Sequence, residues 1–276
     1  MCCGLSAIAL VASQFTSGVS LVEVYASVLD AKGEPVSGLA ADDFLVEEDG
    51  QPRRIEVFTA GDLPLSLAVT VDRSFSIGRS RLAEVVRATQ TLMGELRPDD
   101  RVTVLAAGSE VDVLSPLSID HRAAYDALGA LEPWGTTPLF DATVSALGAI
   151  QNASGRRALI LVSDGSDRYS RATAADVLEA ARARDVMTFP VALARTVPPV
   201  FAELAAVTGG RSVAAPNGAV LTASLRSMAN ELRRQYLLGY APAPDDAGTR
   251  RWRSITVRVR QPGLRVRARD GYYAGR

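Results

Sequence analysis

Residues Leu65 to Ser76 read LSLAVTVDRSFS, an apolar, β-rich run that stops abruptly at Asp72-x-Ser74-x-Ser76. Its length and composition suit a strand covered on both faces, which places Asp72, Ser74 and Ser76 in the loop at its C-terminal end. In open α/β sheets, ligands sit at that edge. One carboxylate with two neutral hydroxyls suits a hard cation such as Mg²⁺, which prefers oxygen donors and retains some of its waters. The triplet equally fits a hydrogen-bonded turn leading into a helix, so other segments must decide.

Two do. Gly135-Thr136-Thr137-Pro138-Leu139-Phe140-Asp141-Ala142 is a glycine-threonine turn running into a helical pattern, with proline near the helix start. Arg157 to Gly165, RALILVSDG, is a second apolar β run ending on Asp164 and a glycine. Around these, residues 79 to 96 place Leu82, Val85, Val86, Leu92, Met93 and Leu96 at helical spacing. Strands are predicted at 100 to 107 and 110 to 117, and a helix from Asp120, its N-cap, to Leu131. Beyond Asp164 come helix 173 to 184, strand 185 to 193, helix 198 to 207, a short strand 210 to 214 and helix 217 to 233. Alternating strand and helix predicts a mainly parallel, doubly wound sheet with helices on both faces.

The order Asp-x-Ser-x-Ser, Gly-Thr-x-Pro-Leu-x-Asp-Ala and strand-Ser-Asp-Gly resembles the von Willebrand factor type A domain and its metal-ion-dependent adhesion site. The resemblance implies a Rossmann-like fold. It also implies that Ser74, Ser76 and Thr137 supply hydroxyls to a metal, while Asp72 and Asp164 supply carboxylates directly or through water. Thr137 aligns better than Thr136, being two residues before Leu139; a slip of one stays open.

The flanks read differently. Residues 19 to 60 are short strands punctuated by Asp30 to Gly33 and Pro35. Residues 235 to 276 are again β, in QYLLGYAP, RWRSITVRVR and LRVRARDGYY, with a loop at Pro244, Asp245, Asp246 and Gly248. Neither flank is long enough to bury a good core alone. The expectation is one small β-sandwich from both flanks, residues 17 to 62 and 235 to 276, with the α/β domain of residues 63 to 234 inserted between its strands. The lead-in Asp30-x-x-Gly33-x-Pro35-Val36-x-Gly38-Leu39, with Asp43-Phe44 and Glu48-Asp49-Gly50, resembles the VWFA-related acidobacterial domain proteins. So does the tail, with Tyr236-x-Leu238-Gly239-Tyr240 and Arg269-x-Gly271-Tyr272. That resemblance implies a secreted or periplasmic setting.

The 276 residues are 47% hydrophobic with a net charge of −1, so no global electrostatic argument for nucleic acid exists. Arg251 and Arg253, Arg258 and Arg260, and Arg265, Arg267 and Arg269 alternate with apolar residues, and are expected to line a solvated sheet face rather than a polyanion-binding stripe. Residues 1 to 16, with CCGLSAIALVA at 2 to 12, resemble the late part of a secretory signal without its basic start. This run falls short of the ~20 apolar residues a membrane span needs. Cys2 and Cys3 both lie there, leaving no disulfide framework.

Catalytic inventories are thin. His121 is the single histidine, beside a predicted helix cap; no Gly-x-Ser-x-Gly elbow exists, zinc lacks ligands, and a two-metal hydrolase needs more carboxylates than Asp72 and Asp164. Two carboxylates roughly neutralise a divalent cation and three hydroxyls add no charge, so the metal stays electrophilic toward an external oxygen. The expectation is a non-enzymatic, secreted or periplasmic, adhesion-type module holding Mg²⁺ (or Mn²⁺ or Ca²⁺), which bridges to an Asp or Glu of a protein partner. The alternatives are a structural β-scaffold with a stabilising metal and a Mg-dependent hydrolase.

Overall fold

The computed structural model describes residues 21–61, 63–244 and 250–275. The segment read as a signal remnant, and Asp245, Asp246 and Gly248 of the acidic loop, lie outside them. Strands β1 (Val22–Leu29), β2 (Phe44–Glu48), β3 (Gln51–Arg53) and β4 (Ile55–Ala60) precede β5 (Leu65–Asp72). Then follow α1 (Gly78–Gly94), β6 (Arg101–Ala107), β7 (Val111–Ser118), α2 (His121–Gly129), α3 (Leu139–Ile150), β8 (Arg156–Ser163), α4 (Ala174–Ala183) and β9 (Met187–Ala192). The chain continues through α5 (Pro199–Thr208), β10 (Val213–Ala214), α6 (Gly218–Arg233), β11 (Tyr236–Tyr240), β12 (Arg251–Val259), β13 (Arg265–Arg267) and β14 (Gly271–Ala274).

The central sheet runs β10-β9-β8-β5-β6-β7, parallel except for the antiparallel edge strand β7. All eight residues of β5 are buried, because helices cover both sides. Its Leu65, Leu67, Val69 and Val71 pack with Leu82, Val85 and Leu92 of α1, Leu128 of α2 and Leu221, Leu225 and Met228 of α6. Ala68 faces the other way, into a cluster with Leu147 of α3, Val177 of α4 and Leu204 of α5. The two-residue alternation of a strand thus feeds two separate helical layers. Asp120 caps α2 by accepting from the amides of Arg122 and Ala123, and Asn217 caps α6 by accepting from Val220.

Two four-stranded antiparallel sheets flank this unit, β13-β1-β11-β4 and β14-β12-β2-β3. Each takes two strands from either chain end. Their shared core joins Val24, Val28, Phe44 and Val46 to Tyr236, Leu238, Tyr240 and Ile255. Tyr236 sits at its centre, 5.0 Å from the Phe44 ring and 5.9 Å from that of Phe58. Its hydroxyl accepts from Leu39 N and donates to Val36 O. The α/β unit leaves and rejoins the sandwich between paired positions, since Ala60 of β4 is opposite Tyr236 of β11 and Gly61 N donates to Gln235 O.

The alternating arginines of the tail do not all lie on a solvated face. Arg258 and Arg260 are exposed, but Arg253 lies on the inward face of β12 with Ile255 and is only 3% exposed. Its Nη1 is 2.6 Å from Oε1 of the fully buried Glu48, which also accepts from Ala243 N and the Tyr272 hydroxyl. Burial alone pushes the Glu48 carboxyl up, yet the Ala243, Arg253 and Tyr272 hydrogen bonds outweigh it and hold the group below its usual value. Arg267 turns to Glu231 of α6 at 2.6 Å. A charge enters this interior where another element brings a carboxylate to meet it.

Candidate functional site

β5 and β8 are neighbours, with Val71 opposite Val162, so both end on the same edge of the sheet. That register places Ser163 beside Asp72, whose Oδ2 accepts from the Ser163 hydroxyl at 2.7 Å while Oδ1 accepts from Ser74 N at 2.9 Å. Ser74 Oγ lies 2.9 Å from Ser76 Oγ, and Ser76 donates to Asp164 Oδ2 at 3.0 Å. Four of the five residues expected at the site are therefore in one hydrogen-bonded chain.

Thr137 is buried and Thr136 exposed. Thr137 is brought to the same edge through its backbone, its carbonyl accepting from Arg168 N in the loop after β8. The loop that carries it is clamped to the serine loop, because Trp134 N donates to Arg73 O and Phe75 N donates to Gly135 O. Arg73 lies over the Trp134 ring at 4.9 Å and pairs with Asp112 at the end of the sheet. Gly135 has φ +76°, and a Cβ there would collide with Ser109; Gly165, at φ +87°, approaches Pro198 just as closely. Asp141 accepts from the amides of Arg171 and Ala172, and Asp167 from Phe140 N, fastening the loop after β8 to the start of α3.

Electrostatically the site is one-sided. Asp72 is fully buried, and among the described residues neither it nor Asp164 has an arginine or histidine partner; their contacts are hydroxyls and two backbone amides, of Ser74 and Ser166. Burial pushes the Asp72 carboxyl up, against the hydrogen bonds from Ser163 and Ser74, and the nearby Asp164 charge pushes the same way. Among the described residues no three or more His, Cys, Asp and Glu converge as a metal cluster, so a cation here depends on the hydroxyls. The donor set fits one: hard oxygens, two carboxyls and, among the described residues, no positive side chain to compete. Accessibility is graded, with Asp72, Ser74 and Thr137 buried, Asp164 half-buried and Ser76 exposed.

Three aromatic side chains surround this edge, one on each loop: Phe75, 68% exposed, Trp134, 41%, and Tyr169, 82%. Tyr169 is held at φ +70°, a conformation costly outside glycine. Phe75 lies between the two serines and Trp134 two residues before Thr136, yet nothing in a periodicity reading marks them as exposed. Ser163 carries no charge and ends a strand, so only the β5–β8 register exposes its link to Asp72. His121 is elsewhere, its Nε2 2.8 Å from Asp100 O.

Residues 67–166 match the family model of the von Willebrand factor type A domain. No curated protein matches the sequence. Among solved structures, a von Willebrand factor type A protein from Catenulispora acidiphila is similar over 95% of this chain and 76% of its own, at 14% identity and TM-score 0.57. The PilB minor pilin from Streptococcus sanguinis is similar over 63% of this chain and 62% of its own, at 10% identity and TM-score 0.53. The conserved hypothetical protein BatB from Bacteroides thetaiotaomicron is similar over 61% and 98%, at 18% identity and TM-score 0.50.

Proposed function

We propose, from the premise that residues 67–166 belong to a von Willebrand factor type A domain, that the chain is a secreted or periplasmic, divalent-cation-dependent protein-binding module. Asp72, Ser74, Ser76, Thr137 and Asp164 would hold Mg²⁺, or Mn²⁺ or Ca²⁺. The observation that carries this reading is the fully buried Asp72 carboxyl set among hydroxyls beside a second carboxyl, with no cationic side chain among the described residues to neutralise either. A divalent cation neutralises both groups and draws on the hydroxyls without adding charge.

The openness of the site at Ser76 and Asp164 favours an adhesion role over a stabilising ion, which calls for full enclosure by protein oxygens. An Asp or Glu of a protein partner is the donor that suits the exposed side. Phe75, Trp134 and Tyr169 offer the desolvating aromatic contacts that dominate protein interfaces. The setting outside the cytoplasm rests on the flank resemblance, and no helix among the described residues is long and apolar enough to cross a membrane. The module is read as non-enzymatic because the sequence carries no Gly-x-Ser-x-Gly elbow and its one histidine, His121, bonds to Asp100 O away from this edge.

The test is to isolate a partner from extracellular fractions with Mg²⁺ and measure its affinity for the wild type, for Thr137→Ala, and for the wild type in excess chelator. Loss of binding in the last two is expected; equal affinity in all three means that binding bypasses the site.

A further inference from the structure

At the opposite pole, where the first residues of β8 meet the sandwich, lies a cavity of ≈ 10 Å³ lined by Tyr25, Arg156, Arg157, Asp185, Gln235 and Arg269, among others. That is room for about one water-sized body. Three guanidiniums share it with one carboxylate. Arg156, only 2% exposed, donates Nη1 to Leu232 O, near the end of α6, and Nη2 to Leu63 O, both backbone carbonyls. Arg157 and Arg269 divide the single Asp185 between them, at 2.8 Å and 3.3 Å. Arg269 also donates Nη2 to Glu23 O, and Arg157 donates Nη1 to Gln151 O.

Each of the three keeps one donor in hand. The Nε of Arg156, of Arg157 and of Arg269 is buried and has no acceptor among the described residues. Burial lowers the Arg156 guanidinium to about 10, with the Arg233 charge acting in the same direction. Three positive charges against one negative, with three buried unsatisfied donors, is an arrangement that protein interiors ordinarily avoid.

We infer that this cavity binds one small monovalent anion of the chloride type. A water has two lone pairs and no charge, so it leaves one Nε–H unmet and the excess charge untouched. A monatomic anion accepts from all three and removes one of the two excess charges. Room for about one water-sized body favours a monatomic anion over the five-atom phosphate or sulfate. Arg156 opens β8 of the central sheet, while Arg269 follows β13 of the sandwich. The bound anion therefore pins the two parts of the molecule together.

The experiment is thermal unfolding of the full chain in chelator, at fixed ionic strength, with chloride progressively substituted for the bulky gluconate anion. Above its dissociation constant, each tenfold rise in chloride should raise the wild-type midpoint by about 2–3 °C. Arg269→Gln, at a side chain that still reaches solvent, should lose that dependence. A wild-type midpoint indifferent to chloride, or equal slopes in both proteins, overturns the inference. Crystals grown with bromide give a readout that needs no variant: an anomalous peak between Arg156 and Arg269 supports the site, and density for water alone refutes it.

Discussion

Replacing Asp72 by alanine removes the one carboxyl that is buried at the site, and with it half the negative charge that two carboxyls would bring to a divalent cation. Mg²⁺ binding measured by calorimetry is expected to disappear while the circular dichroism of the fold persists. Ser76→Ala should weaken binding less, since Ser76 is exposed and water can stand in for a neutral oxygen. A different carboxylate sets acid stability. Asp100, 1% exposed, accepts from Leu65 N, Arg97 N and the Arg233 guanidinium. Burial acts to raise its carboxyl, but those bonds hold it below the ordinary 3.8. A depressed folded-state value means that the stabilisation is complete above about pH 5 and is lost as pH falls through the folded value. Asp100→Asn should therefore cost about 3 kcal/mol at pH 7, and the gap to wild type in urea melts should close in acid. At this scale the sequence shows Asp72 and Asp164 because a carboxylate ending an apolar run is conspicuous. Ser163, Arg253 and Arg156 are hidden because their roles depend on what another strand or helix sets against them.

Elements explain why the site holds its shape without a cap on α1, whose N-terminal Ile77 offers no side-chain acceptor. The serine loop is instead fixed by two backbone hydrogen bonds to residues 134 and 135, and the threonine loop by Arg168 N to Thr137 O. Gly135→Ala tests that clamp. With φ +76° and Ser109 in the way, the substitution should cost about 1–3 kcal/mol and weaken Mg²⁺ binding roughly tenfold without altering any proposed ligand, as outer-shell changes do. Unchanged calorimetric affinity would show that the loop tolerates displacement. The parallel strands and their helices were legible in the chain because burial on both faces leaves long apolar runs, and helical spacing is hard to mistake. The flanking strands were legible as strands, but not the partners of their arginines: alternation by two gives the face of a residue and says nothing of the carboxylate that Glu48 or Glu231 brings from elsewhere.

For the whole molecule, the decisive fact is that neither chain end completes a sheet without the other. Removing residues 235–276 takes β11 and β13 from one sheet and β12 and β14 from the other, baring Val24, Val28, Phe44 and Val46. The shortened protein should aggregate, as size-exclusion chromatography would register; a well-behaved monomer with intact N-terminal strands would mean that the first flank is self-sufficient. The same interleaving dictates an order of events during synthesis. β2 and β3 can pair with each other at once, but β1, β4 and the other edge of β2 find their partners only after more than 170 further residues have been made. Closing so wide a loop from an unfolded chain is slow. The intervening α/β unit has helical layers and a core of its own to fold around, and its two ends emerge side by side, Ala60 against Tyr236. That unit serves as a built-in splint: once folded, it delivers β11 to β4 in register, and the remaining strands have only short distances to travel.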